Sequence, residues 1–102
     1  MDDDLTITAT RDGSTAIVTA DGEIDLSNVG ELRSAVTEAA EGCELLRLDL
    51  SGVEFIDSTG LGGLLELRST LRAQAVTLEI VAGDGPVRQA VEITGLAELL
   101  AT

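Results

Sequence analysis

Along residues 5–10, apolar Leu5, Ile7 and Ala9 alternate with Thr6, Thr8 and Thr10. A period of two in a stretch rich in β-branched residues predicts a half-buried β-strand. Asp12-Gly13 then turns the chain, and Thr15 to Ala20 predicts a second strand that pairs with the first as an antiparallel hairpin. Asp21-Gly22 closes that strand. Asn28 stands where a helix cap belongs, with Glu31 at capping-box spacing, and Val29, Leu32, Val36 and Ala39 fall on one helical face before Gly42 stops the helix.

Residues 45–50, Leu-Leu-Arg-Leu-Asp-Leu, are mostly apolar with little alternation, the mark of a central strand covered by a helix and flanked by other strands. A second helix is predicted from Gly60 to Ala73, with Leu61, Leu64, Leu65 and Leu71 turned inward and Arg68 and Arg72 toward its far end. Val76 to Val81 is a further strand. Gly83-Asp84-Gly85 leads to Pro86, whose missing N–H costs little in the first turn of a helix carrying Val87, Ala90 and Val91. Thr94-Gly95 ends that helix, and Leu96 to Leu100 reads as a last helical turn or two. The order is strand, strand, helix, strand, helix, strand, helix. It predicts an α/β fold with a mixed β-sheet, right-handed crossovers and helices packed mainly on one face. No linker, repeat or low-complexity tract interrupts it, so residues 1–102 read as a single domain.

Charge narrows the partners. The 102 residues carry 19 acidic side chains against 6 basic ones, all arginine, for a net charge of −13. Such a surface repels phosphate backbones, so direct binding of nucleic acid is not expected. Basic or neutral partner surfaces are favoured, although acidity also serves plain solubility. With no histidine and one cysteine, Cys43, a Ser-His-Asp triad, a Cys-His pair and the usual zinc sites are out of reach, and no cofactor or metal is expected. No apolar run approaches the roughly 20 residues of a membrane span. The acidic start, Met1-Asp2-Asp3-Asp4, is unlike a secretory signal, and a cytoplasmic protein is expected.

The stretch richest in candidate chemistry runs from Leu48 to Gly62: a strand, a loop and a helix start. Asp57, Ser58 and Thr59 stand where side-chain oxygens cap free helical N–H groups, and a helix N-terminus stabilises an added anion such as phosphate. From the residues alone, an N-cap worth about 0.5–2 kcal/mol is the plainer reading.

Asp49-Leu50-Ser51-Gly52-Val53 followed by Phe55-Ile56-Asp57-Ser58-Thr59-Gly60-Leu61 resembles the signature of STAS domains, specifically of bacterial anti-sigma factor antagonists. Gly22-Glu23-Ile24-Asp25 resembles that family's Gly-Glu-Leu/Ile-Asp segment, and Val87 to Leu96 its late helix and Thr-Gly-Leu turn. Three separated motifs in order cover most of the chain. The resemblance implies that Ser58 is the phosphate acceptor, with Thr59 as rival. It implies a partner surface drawn from Asp25, Asp57, Ser58, Thr59, Gly60 and Leu61, with Glu23 at the same end of the sheet.

It also implies partner switching. The unphosphorylated chain binds an anti-sigma factor that is itself an ATP-dependent serine kinase and so frees a sigma factor. Phosphorylation releases the chain, and a serine phosphatase resets it. ATP belongs to the kinase, leaving this chain without a catalytic residue. Family members commonly continue past the Thr-Gly-Leu turn into a short strand and a helix, whereas these residues stop at Ala101-Thr102, so a reduced C-terminal element is expected. Two other readings compete. One is a STAS subunit or scaffold of a membrane-associated transport or signalling complex, with Ser58 only a cap. The other is an enzyme or phospho-aspartate receiver, which the absence of lysine and histidine disfavours.

Overall fold

The computed structural model describes residues 5–101. Strand β1 (Leu5–Asp12) turns through Gly13 into β2 (Thr15–Ile24), and Asp12 faces Thr15 at the closed end of the hairpin. Helix α1 (Val29–Ala40), strand β3 (Leu45–Ile56), helix α2 (Ser58–Ala73), strand β4 (Thr77–Val81) and helix α3 (Pro86–Val91) follow. A π-helical turn, Glu92–Leu96, is broken by Gly95 at φ 89°, and a 3-10 turn spans Ala97–Leu99. The sheet order is β1-β2-β3-β4, antiparallel for the first pair and parallel for the other two.

One face of this sheet holds the core. Ala16, Val18 and Ala20 of β2, Leu46, Leu48 and Leu50 of β3, and Leu78 and Ile80 of β4 are all buried. They meet Leu32 and Val36 of α1, Leu64, Leu67 and Leu71 of α2, and Val87 and Val91 of α3 in one cluster. Truncating a residue such as the fully buried Leu48 to alanine therefore costs about 2–5 kcal/mol. The opposite face keeps half-exposed side chains, and there Arg47 reaches across to its register partner Glu79 at 2.6 Å. The mixed sheet and one-sided core match the sequence reading.

Several boundaries and roles differ. Strand β2 runs on through Asp21-Gly22 to Ile24, and β3 runs through Ser51-Gly52 to Ile56, where a loop was expected. The register of this pair shifts between Thr19 and Asp21 and again between Gly22 and Glu23. Each shift sets an extra β3 residue against β2, so the buried positions Leu50, Val53 and Ile56 recur every third residue. A β-bulge hides a strand from a period-two reading in this way. Gly52 is needed there, because a Cβ would fall 1.8 Å from Asp21 Oδ1.

In α2 the buried positions are Gly60, Gly63, Leu64, Leu67 and Leu71, while Leu61 and Leu65 are only half-buried. Ala9 of β1 is exposed because it lies on the sheet's edge strand. Leu100 is extended and bridges Ile80 in parallel fashion instead of continuing a helix, with the Ala101 amide donating to Ile80 O at 2.8 Å. Among the described residues no helix is long and apolar enough to cross a membrane.

Candidate functional site

Ile24 and Ile56 are register partners at the end of the sheet where β2 and β3 both give way to helices. The Asp57 amide donates to Ile24 O at 3.1 Å, which ties the start of α2 to the end of β2. Asp57 is extended, and its Oδ1 accepts from the Gly60 amide at 2.9 Å and from the Thr59 hydroxyl at 2.8 Å. Asp57 is thus the cap of α2. The Gly60 N–H, then the Thr59 hydroxyl, hold its carboxyl below the usual aspartate range, with the Leu26 amide helping.

Ser58 is the first residue of α2 and is exposed, and its hydroxyl makes no hydrogen bond among the described residues. Gly60 is buried, because a Cβ there would meet Ile56 Cγ1 at 2.6 Å and Ile24 Cγ2 at 2.9 Å. It contributes its amide to the cap, while Leu61 packs half-buried against the core.

The loop from β2 to α1 comes up beside this helix start. Asn28 was expected to cap α1, but its side chain makes no cap hydrogen bond. Its Oδ1 instead accepts from the Asp25 amide at 2.9 Å, and its Nδ2 donates to Glu23 O at 2.9 Å. A nearly buried asparagine thus clamps the loop from inside. Asp25 Oδ1 accepts from the Ser27 amide at 2.9 Å and from the Ser27 hydroxyl at 2.6 Å, which leaves Leu26 between them 74% exposed.

One groove gathers Leu26, Val29 and Arg33 from the α1 side with Ser58, Gly62 and Glu66 of α2. The helices close up at Gly63, where a Cβ would lie 2.6 Å from Val29 Cγ2. Arg33 of α1 pairs with Glu66 of α2. Phe55, half-exposed at 50%, faces Glu23 on the neighbouring strand.

The structure therefore brings Asp25, Asp57, Ser58 and Thr59 to one end of the sheet. Leu26, Arg33 and Phe55 join them without having been singled out from the sequence. An apolar residue caught in an Asp-Leu-Ser turn was the one signal for Leu26. Among the described residues no three His, Cys, Asp or Glu side chains converge to hold a cation.

The STAS domain model matches residues 6–102. The chain belongs to the STAS domain family. Among its relatives, the anti-sigma-F factor antagonist RsfB of Mycobacterium tuberculosis is 34% identical over 95 residues, which cover 92% of this chain and 77% of that protein. The anti-sigma factor antagonist of Mycobacterium paratuberculosis superposes with a TM-score of 0.82 at 28% identity, over 94% of this chain and 82% of that one. Unphosphorylated SpoIIAA, also an anti-sigma factor antagonist, gives 0.81 at 20% identity over 94% and 86%, which speaks to the fold alone. The mixed sheet with helices on its buried face is thus the STAS architecture of anti-sigma factor antagonists.

Proposed function

We propose that this STAS domain is an anti-sigma factor antagonist, with Ser58 as its switch. The unphosphorylated form binds an anti-sigma factor with serine kinase activity and frees a sigma factor. In the kinase step Ser58 Oγ attacks the γ-phosphorus of ATP held by that partner. ADP leaves, and the hydroxyl proton passes to a base on the kinase. A serine phosphatase restores the hydroxyl by hydrolysis, releasing inorganic phosphate.

The carrying observation is the state of the two neighbouring hydroxyls. Ser58 is exposed with its oxygen free, while Thr59 is tied to Asp57. A kinase takes the free hydroxyl without breaking the cap. We assign the base to the partner, because among the described residues no side chain accepts from Ser58. Phosphate adds about −1.5 to −2 charge at neutral pH beside exposed Leu26, enough to spoil an apolar contact there. Loss of about 1.4 kcal/mol weakens binding tenfold.

The test presents Ser58→Ala and Ser58→Asp baits to lysate of the native host and identifies captured proteins by mass spectrometry. The alanine bait is expected to retain an ATP-binding anti-sigma factor and the aspartate bait to lose it. Equal recovery of one and the same transport or scaffold complex by both baits would instead make Ser58 a plain helix residue in a constitutive assembly module.

A further inference from the structure

We propose that Arg33 is the residue within this chain that reads the phosphorylated state, leaving Glu66 to bind the phosphate on Ser58. This inference rests on Ser58 carrying phosphate, as argued above. Arg33 and Ser58 sit on different helices but line the same groove, together with Gly62 and Glu66. In the unmodified chain the Arg33 guanidinium is held by Glu66.

Ser58, Gly62 and Glu66 follow one another at intervals of four along α2, so they share one face of the helix. Eight residues of helix separate Ser58 from Glu66, about 12 Å along the axis. The middle position is a glycine with nothing within 4 Å of where its Cβ would be. Among the described residues no side chain stands over the middle of the track.

The Arg33 stem runs over this track's inner edge, its Cδ 3.9 Å from the Cβ position of Gly63. Helices α1 and α2 each lead from one strand to the next parallel one, so they run in the same sense, and the Arg33 side chain leans toward the end of the groove that holds Ser58. The exchange requires the outer bonds of Arg33 to turn its guanidinium from Glu66 toward a phosphate there.

Charge favours the exchange. Glu66 offers a single negative charge on a side chain that is 61% exposed, and such a pair is weakly held. A phosphate offers about two charges and three acceptor oxygens, which the planar guanidinium can engage in bidentate fashion. The remaining arginines are placed elsewhere: Arg11 donates to the carbonyls of Gly13, Glu41 and Gly42, Arg47 pairs with Glu79, and Arg88 with Glu92. Arg68 and Arg72 line a different cleft with Leu78 and Leu99. Among the described residues, Arg33 is thus the cation that shares the groove of Ser58.

The experiment installs phosphoserine at position 58 by encoded incorporation and follows the phosphorus resonance as pH is varied. The phosphate's second pKa lies near about 6 when unperturbed. Arg33→Gln is expected to raise it by about one unit, and Glu66→Gln, which removes the competitor, to lower it. Arg72→Gln removes the same charge about 21 Å down the helix and is expected to shift it little. The Arg33 guanidinium resonances should titrate with the same midpoint as phosphorus, and should not move through that midpoint in the unphosphorylated protein.

An Arg33→Gln shift no larger than that of Arg72→Gln overturns the proposal, as do Arg33 resonances that ignore the phosphate titration. Amide spectra of each variant check that it is folded. Because the phosphate is installed without a kinase, failure of a kinase to modify Ser58 would sink the switch reading separately while leaving the Arg33 contact measurable.

Discussion

Thr59 donates its hydroxyl to Asp57 Oδ1 at 2.8 Å, and that bond sets it apart from Ser58 one residue earlier, whose hydroxyl is free. The same carboxylate takes the Gly60 amide. One aspartate thus caps the helix and occupies the rival acceptor. Asp57→Ala should cost about 1 kcal/mol through the lost cap and lower the melting temperature by a few degrees, read by thermal denaturation. It also frees Thr59, so under the proposed function the variant should accept phosphate at both positions from the proposed partner kinase, mapped by mass spectrometry.

Acid should erode this cap. The carboxyl of Asp57 is held below its ordinary value by the Gly60 amide and the Thr59 hydroxyl. A carboxyl whose native pKa lies below its unfolded one stabilises the fold fully above the unfolded value of about 3.9. That contribution falls away as pH drops from there through the native pKa. Unfolding free energies measured from pH 7 downward should therefore decline less steeply for Asp57→Asn than for the parent over this acid range. Parallel curves would remove Asp57 from the account.

Two adjacent glycines of α2 should respond in opposite directions. A Cβ at Gly63 would meet Val29 Cγ2 at 2.6 Å, while at Gly62 it would meet nothing within 4 Å. Gly63→Ala should cost about 1–3 kcal/mol by forcing α1 and α2 apart. Gly62→Ala should stabilise by up to about 1 kcal/mol through helix propensity. Urea denaturation of the two variants beside the parent decides the matter.

Helix α2 ends in a left-handed residue that is not glycine. Ala75 has φ 62°, with its amide on Arg72 O at 3.0 Å and the Val76 amide on Leu71 O at 2.9 Å. The turn is a glycine-type helix stop carried by alanine. Ala75→Gly relieves the clash of Cβ with the following carbonyl and should stabilise by about 1 kcal/mol, offset in part by glycine's greater unfolded-state entropy. A higher urea midpoint with an unchanged slope is the expected reading.

Leu26 and Phe55 should matter to binding more than to folding. Leu26 is 74% exposed and has little to lose on truncation, whereas Phe55 at 50% buries about half of its ring in β3. Leu26→Ala should move stability by no more than about 0.5 kcal/mol, and Phe55→Ala should cost about 1–2 kcal/mol. Affinity for the proposed anti-sigma factor partner should fall about tenfold or more if these residues enter partner pockets, measured by calorimetry or surface binding. Undiminished affinity in the Leu26→Ala, Phe55→Ala double variant would move the interface away from this end of the sheet.

Much of this protein was decided locally and can be read from the chain. The hairpin of β1 and β2 follows from alternation around Asp12-Gly13, and the buried part of β3 up to Leu50 follows from a leucine-rich run with little polar alternation. The helices follow from their apolar spacing, and the Asp-Ser-Thr-Gly start of α2 from capping chemistry. These are interactions among neighbours in sequence, which short-range pattern captures.

Only the assembled fold decided what those local signals left open. The bulges that carry β2 and β3 on to Ile24 and Ile56 depend on each strand having the other beside it. Asn28 has the composition of a cap, yet its side chain turns back into the loop that ends β2 because the Glu23 carbonyl and Asp25 amide lie within reach there. Leu61 satisfies helical spacing but yields the core to Gly60 and Gly63, since α2 approaches Ile24 and Val29 too closely for a side chain. Arg33 and Ser58 are separated by 25 positions in the chain and share a groove because two helices pack side by side. Spacing along a chain fixes which residues can share a helix face, whereas the distance between two helices is set by packing, and packing is a property of the whole core.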